Sequence, residues 1–145
     1  MEKRIELECR GRNHAEIEEL NLDNCKATSV DGLTDKFVNL EVLSLNNVGL
    51  TSLRHFPHLP KLRKLELSDN RISSGLEYLA GCPELTHLTL SNNRIKDLEA
   101  LKVLADFNKL RSLDVYQCEV TAIDDYREKV FELIPQLEWL DSTGR

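Results

Sequence analysis

The chain has 145 residues, 41% of them hydrophobic, and carries 25 acidic against 19 basic side chains for a formal charge of −6. That length predicts one domain, and the acidic balance excludes a general electrostatic affinity for nucleic acid while favouring basic partners. No apolar run approaches the ~18 residues of a membrane span, and none follows Met1-Glu2-Lys3-Arg4, so neither a membrane anchor nor a secretory leader is expected and the chain reads as soluble and intracellular.

From the N-terminus, residues 2–12 are highly charged, with Ile5 and Cys9 four positions apart. Those two share one helical face, which predicts a short amphipathic helix. Asn13 or its neighbours then lead into a segment with internal periodicity. Residues 62–72 read L-x-x-L-x-L-x-x-N-x-I, and residues 85–95 read the same. Looser copies are Ile17, Leu20, Leu22, Cys25, Ala27; Leu40, Leu43, Leu45, Val48, Leu50; and Leu110, Leu113, Val115, Cys118, Val120. The starts lie 23, 22, 23 and 25 residues apart. Five units in register over about a hundred residues carry the signature of a leucine-rich repeat, one strand and one return segment per unit.

Each unit contributes a strand over roughly its x-L-x-L-x portion, leucines inward and x residues outward. Parallel stacking predicts an α/β fold: a right-handed leucine-rich-repeat solenoid with a concave parallel β-sheet, five repeats, an N-terminal helical cap and a C-terminal cap. The single domain divides into a cap at 1–16, repeats at 17–123 and a second cap at 124–145. The return segments differ. Residues 51–61 hold Pro57 and Pro60 and are not helical. Residues 75–81 form one or two helical turns. In residues 97–107, Leu98, Leu101, Leu104 and Phe107 predict an amphipathic helix of about three turns. Residues 124–134 predict the longest helix, with Tyr126, Val130, Phe131 and Ile134 as its apolar stripe, Asp125 and Glu128 as a capping box, and Pro135 as its stop. Residues 137–141 begin a sixth strand that goes no further.

The outward positions of the strands define a candidate protein-binding face: Glu19, Asn21, Asp23 and Asn24; Val42, Ser44, Asn46 and Asn47; Lys64, Glu66, Ser68 and Asp69; His87, Thr89, Ser91 and Asn92; Ser112, Asp114, Tyr116 and Gln117. Within it Asp23, Glu66, Asp69 and Asp114 suit a basic peptide or histone surface, as a matter of specificity more than strength. Glu119, Asp124, Asp125 and Glu128 form a second, acidic candidate at the edge of the cap. Asn70 and Asn93 take the inward position where an amide satisfies loop backbone, so they read as structural. Cys25 and Cys118 occupy that same position, and with Cys9 and Cys82 they read as small buried side chains and not as disulfides or zinc ligands. His55 and His58 flank Pro57 without matching ligands and read as loop histidines. Lys61, Arg63, Lys64 and Arg71 are interleaved with Glu66 and Asp69 and read as a mixed surface. No catalytic, cofactor or metal constellation is found.

Longer strings narrow the reading. Gly32-Leu33-Thr34-Asp35, residues 47–53, residues 64–73, residues 85–88, residues 95–98, Cys118-Glu119-Val120-Thr121, Tyr126-Arg127-Glu128 and Pro135-Gln136-Leu137 resemble, in order and spacing, the acidic leucine-rich nuclear phosphoproteins. The resemblance implies five repeats and a C-terminal cap followed by a long acidic, disordered tail. It also implies a shuttling nuclear and cytoplasmic interaction protein that binds histones, acts as a histone chaperone, inhibits histone acetylation and inhibits type 2A protein phosphatase; some members bind microtubule-associated proteins. The chain departs from the pattern at Asn13-His14-Ala15, where relatives carry phosphoacceptors, at Tyr116-Gln117, which stands for a Phe-Asn type pair, and at Trp139, which stands for a Tyr and is expected in the core. No acidic tail follows Asp141. The alternative is a spliceosomal ribonucleoprotein scaffold that binds an RNA-recognition-motif partner. Neither reading is enzymatic, and both suit a monomer without direct nucleic-acid or membrane contact.

Overall fold

A computed structural model describes residues 1–145. Seven strands make one sheet in chain order: β1 Glu19–Asn21, β2 Val42–Ser44, β3 Lys64–Glu66, β4 His87–Thr89, β5 Ser112–Asp114, β6 Trp139–Leu140 and β7 Thr143–Gly144. The first six are parallel, and Leu20, Leu43, Leu65, Leu88, Leu113 and Leu140 stand side by side at their centres. All six leucines are buried, because an inward position on one rung packs against the same position on the next. A single apolar core runs the length of the solenoid, from Ile5 to Leu140.

The N-terminal helix, α1 (Glu2–Cys9), buries Ile5 and Cys9 as its spacing predicts. It covers the first rung, and Arg4 caps the open edge of β1, its guanidinium donating to the carbonyls of Asp23 (3.0 Å) and Asn21 (3.4 Å). Asn13 leads into a short 3₁₀ turn, Glu16 included, by accepting the Ala15 N–H at 3.0 Å.

The return segment with Pro57 and Pro60 has no helix, and Leu76–Leu79 is a single 3₁₀ turn. Residues Glu99–Asp106 are also 3₁₀ and not the α-helix expected. The cause is in the spacing: Leu98, Leu101, Leu104 and Phe107 recur every third residue, which a helix of three residues per turn places in one column facing the core. The Leu101 N–H accordingly donates to Leu98 O (3.0 Å), and the Phe107 N–H to Leu104 O (3.1 Å).

The C-terminal helix, α2 (Tyr126–Leu133), buries Val130 and Phe131, with Ile134 buried just beyond it. The expected capping box does not form. Asp125 sits before α2 at φ 57°, a left-handed conformation, and its side chain makes no capping bond, since capping needs the extended backbone that aims the carboxylate at the first free N–H groups. The sixth strand is not abandoned either. Asp141 (φ 51°) and Ser142 (φ 67°) turn the chain back, positive φ at both being what a tight type I′ hairpin requires, and β7 pairs antiparallel with β6. Arg127 closes this edge by donating to the carbonyls of Leu140, Thr143 and Gly144. Arg127 and Arg145 lie over the Phe131 ring at 5.0 and 4.8 Å. Both open ends of the sheet are therefore capped by an arginine, which withholds free edge groups from other chains. No helix is long and apolar enough to cross a membrane.

Candidate protein-interaction surface

Strands β1–β5 hold only three residues each and β6 two, so the concave face consists of two outward rows. One is Glu19, Val42, Lys64, His87, Ser112 and Trp139; the other is Asn21, Ser44, Glu66, Thr89 and Asp114. A third row follows at the strand exits: Asp23, Asn46, Ser68, Ser91 and Tyr116. Much of this surface is bonded to itself. The Asp23 carboxylate accepts the Ser44 hydroxyl and the Asn46 N–H (2.8 Å). The Asn46 amide donates to Ser44 Oγ (3.2 Å) and accepts the Ser68 N–H (2.8 Å). The hydroxyls of Ser68 and Ser91 are 3.0 Å apart. Asn21 accepts the Asp23 N–H at 2.9 Å. These side chains tie rung to rung, and Ser44 is itself buried.

What remains for a partner is concentrated elsewhere. Glu66 is half-buried and makes no side-chain bond or ion pair, while Asp114, also half-buried, accepts only the Tyr116 N–H (2.9 Å). Tyr116 is 61% exposed, the most open of the Phe, Tyr and Trp residues. Trp139 is 50% exposed on the same sheet and not in the core. As an outward residue in register with Ser112 it has no interior to enter, and its ring rests on Gly144, where an added Cβ would meet it at 3.3 Å. Its place in the row is visible only once β6 is known to continue the parallel register.

Asp69 does not stand on the concave face. With Asn24, Asn47, Asn92 and Gln117 it forms the corner that ends each strand, all five at positive φ, a conformation that Asn and Asp tolerate better than other residues with a side chain. Corner side chains bond in pairs, Asn47 to Asn24 (2.9 Å) and Asn92 to Asp69 (2.7 Å). Glu119, Asp124, Asp125 and Glu128 are exposed around the short turn Glu119–Ala122 and the start of α2.

The inward amides and thiols beneath the corners are structural. Asn70 Oδ1 accepts the N–H groups of Val48 (3.2 Å), Gly49 (2.9 Å) and Leu50 (3.0 Å). Cys118 does the same work with sulfur, donating to Leu90 O (3.2 Å) and accepting the Asn93 N–H (3.4 Å). All four thiols are free and buried; burial pushes each of them up, Cys82 to about 11. Asp141 joins the cap to the last full repeat, accepting the Val115 N–H (2.8 Å) and the Tyr126 hydroxyl (2.7 Å). Burial, and then this bond to a carboxylate, push the Tyr126 phenol well above its ordinary range.

The basic group read as one mixed surface is dispersed. Lys61 donates to Asn39 (2.8 Å), Arg63 pairs with Glu41 (3.3 Å), Lys64 lies on β3, and Arg71 lies beyond the corners on the opposite edge.

A leucine-rich-repeat family model matches residues 3–143. The chain belongs to the leucine-rich-repeat family. Over 97% of its length it is 60% identical to acidic leucine-rich nuclear phosphoprotein 32 family member A of Drosophila pseudoobscura pseudoobscura, and equally to that of Drosophila melanogaster. The resemblance carried by the longer sequence strings is thus a close one. The chain spans about half of those relatives, 54% of their length. Among solved structures it superposes on a chain of the Drosophila melanogaster SNF/U2A' complex with a TM-score of 0.78 and 31% identity, covering 87% of this repeat domain and 73% of that chain. A Listeria monocytogenes internalin C2, at TM-score 0.56 and 20% identity over 95% of this chain and 70% of the other, shares the fold. Leucine-rich-repeat folds present extended concave binding surfaces, and the relatives' names describe nuclear phosphoproteins.

Proposed function

We propose that this repeat domain binds basic protein segments, histones foremost, on the concave face in the nucleus, with shuttling to the cytoplasm. The observation that carries the reading is the pairing of Glu66 and Asp114, half-buried carboxylates that hold no cation of their own, with the exposed rings of Tyr116 and Trp139 on one sheet. Carboxylates receive lysine and arginine head groups, and aromatic faces receive their cations and stems. Asn21, Asp23, Ser44, Asn46, Ser68, Thr89 and Ser91 act chiefly by holding that sheet rigid, so little order is lost on binding. Asp69 and the acidic cap edge (Glu119, Asp124, Asp125, Glu128) lie outside it and serve as secondary contacts. Support comes from the 60% identity to nuclear phosphoproteins. By the same likeness, histone chaperoning with inhibition of histone acetylation, and inhibition of type 2A phosphatase, are the downstream activities to assay.

The test is core-histone binding across a salt series, for this chain and for one extended by an acidic tail. Glu66→Lys with Asp114→Lys abolishes binding of the bare chain if the concave face recognises histones. If only the tailed protein binds and the substitutions change nothing, the repeats are a platform and the reading fails. A second reading, a scaffold for an RNA-recognition-motif protein, is favoured by the 0.78 TM-score to a chain of the SNF/U2A' complex. Tight binding of such a protein, with histones ignored, would replace the first reading.

A further inference from the structure

The acidic relatives and acidic concave face draw attention away from a cationic line on another edge. The residue after the inward Asn/Cys/Val position is Lys26, Gly49, Arg71, Arg94 and Glu119 in successive repeats. These residues stack rung on rung: the Arg71 N–H donates to Leu50 O (2.8 Å) and the Arg94 N–H to Ile72 O (2.9 Å), each in the repeat before. Lys26, Arg71 and Arg94 are all exposed, and none takes part in an ion pair within 4.0 Å or donates a side-chain hydrogen bond. Other exposed cations, Lys102 and Lys129 among them, are also without a partner, but they do not line this groove.

Lys26, Arg71 and Arg94 together line one groove of about 1050 Å³ behind the strand corners. Gly49 opens its floor, since a Cβ there would meet only the Ala27 carbonyl, at 3.6 Å, and its φ of 101° keeps a side chain out. Two carboxylates share the groove, but both are already engaged: Asp23 accepts Ser44 and the Asn46 N–H, and Asp69 accepts the Asn92 amide. Arg71 and Arg94 are one rung apart, about 5 Å at the backbone. Two guanidinia at that spacing with no anion between them are complementary to an external one.

We infer that this groove binds an acidic peptide segment, its carboxylates shared between Arg71 and Arg94 and reaching Lys26. From Lys26 to Arg94 is three rungs, about 14 Å, which an extended segment of about four or five residues spans. A polyphosphate chain fits less well. Asp23 and Asp69 interrupt the cationic line, which a peptide accommodates by the spacing and direction of its carboxylates and a chain charged at every phosphate does not. The domain would then take a basic partner on its sheet and an acidic one on its loop edge. The two surfaces share no free charge.

The test uses fluorescence anisotropy of a labelled peptide of five glutamates flanked by Gly-Ser, at low salt. Arg71→Gln with Arg94→Gln is expected to weaken binding about tenfold, because two charge-assisted contacts are lost. The control, Lys102→Gln with Lys129→Gln, makes the same change in net charge at exposed cations outside the groove and is expected to leave binding within twofold. Equal weakening by both pairs, or no binding to the unaltered chain, overturns the inference. Stronger displacement by a ten-nucleotide oligo-dT than by unlabelled peptide overturns the choice of partner. Histone binding is measured on the same proteins; it is unchanged by the Arg71/Arg94 pair, so failure here is distinct from failure of the concave-face reading.

Discussion

Replacing Asn70 by alanine, beside the same change at Asn93, isolates what the inward amide contributes. The two side chains are alike in burial, 6% and 7% exposed, and occupy the same repeat position. Each amide nitrogen serves three carbonyls: Leu45, Leu67 and Ser68 for Asn70, and Leu67, Leu90 and Ser91 for Asn93. That part cancels in the comparison. The oxygens differ: Asn70 Oδ1 accepts from Val48, Gly49 and Leu50, whereas Asn93 Oδ1 accepts only from Ile72. At about 1 kcal/mol for each stranded N–H, the two variants differ by about 2 kcal/mol, with Asn70→Ala losing roughly 3–4 in all. In a domain of this size the gap corresponds to about 6 °C in Tm. Urea unfolding followed by circular dichroism measures it, with the slope m unchanged if only the native state is altered. Equal losses, or a larger loss for Asn93→Ala, would show that water satisfies the loop donors and would refute the count.

Stability is expected to fall as pH rises above the ordinary tyrosine value of 10.0. The folded phenol of Tyr126 is raised, so above 10.0 the unfolded chain releases a proton that the folded one retains, and unfolding is favoured; Tyr126→Phe should lessen that alkaline decline in thermal melts, leaving the part that the four raised thiols contribute above 9.0. The four cysteines should resist a maleimide in the native protein and react together once urea unfolds it, since burial disfavours every thiolate; a cysteine labelled at the native rate of a free thiol would contradict the placement. Arg127→Ala leaves the carbonyls of Leu140, Thr143 and Gly144 without their donor, and is expected to cost about 2 kcal/mol and to speed amide exchange at Arg145, whose N–H bonds Glu138 O across the hairpin. Unchanged exchange there would place the edge's stability elsewhere.

Recurrence made most of the architecture legible. Leu43, Leu65 and Leu88 are interchangeable in pattern because each faces the same interior, so five rungs, their order and their inward side follow from spacing alone. The type of the return helix was also written in the sequence, in the threefold spacing of Leu98, Leu101, Leu104 and Phe107, but it reads as an α-helix to anyone who asks only whether the segment is amphipathic. The capping box at Asp125 failed because a motif specifies side chains and not the backbone angle of the residue that carries them. For the candidate surface, reading along the chain grouped Lys61, Arg63, Lys64 and Arg71, which the fold sends to different sides. Reading down the column, at the repeat period, would have grouped Lys26, Arg71 and Arg94.

The sequence by itself determined the inward positions, because burial of apolar side chains is set by residue type and period and is repeated five times over. It also determined which relatives the chain resembles. Only the tertiary structure decided which outward side chains are free. Asp23, Asn46 and Ser68 become struts because a parallel register places each within bonding reach of the next rung, while Glu66, Asp114, Tyr116 and Trp139 face solvent because nothing in the register meets them. That distinction depends on distances between residues more than twenty positions apart, and only the stacked fold sets those distances.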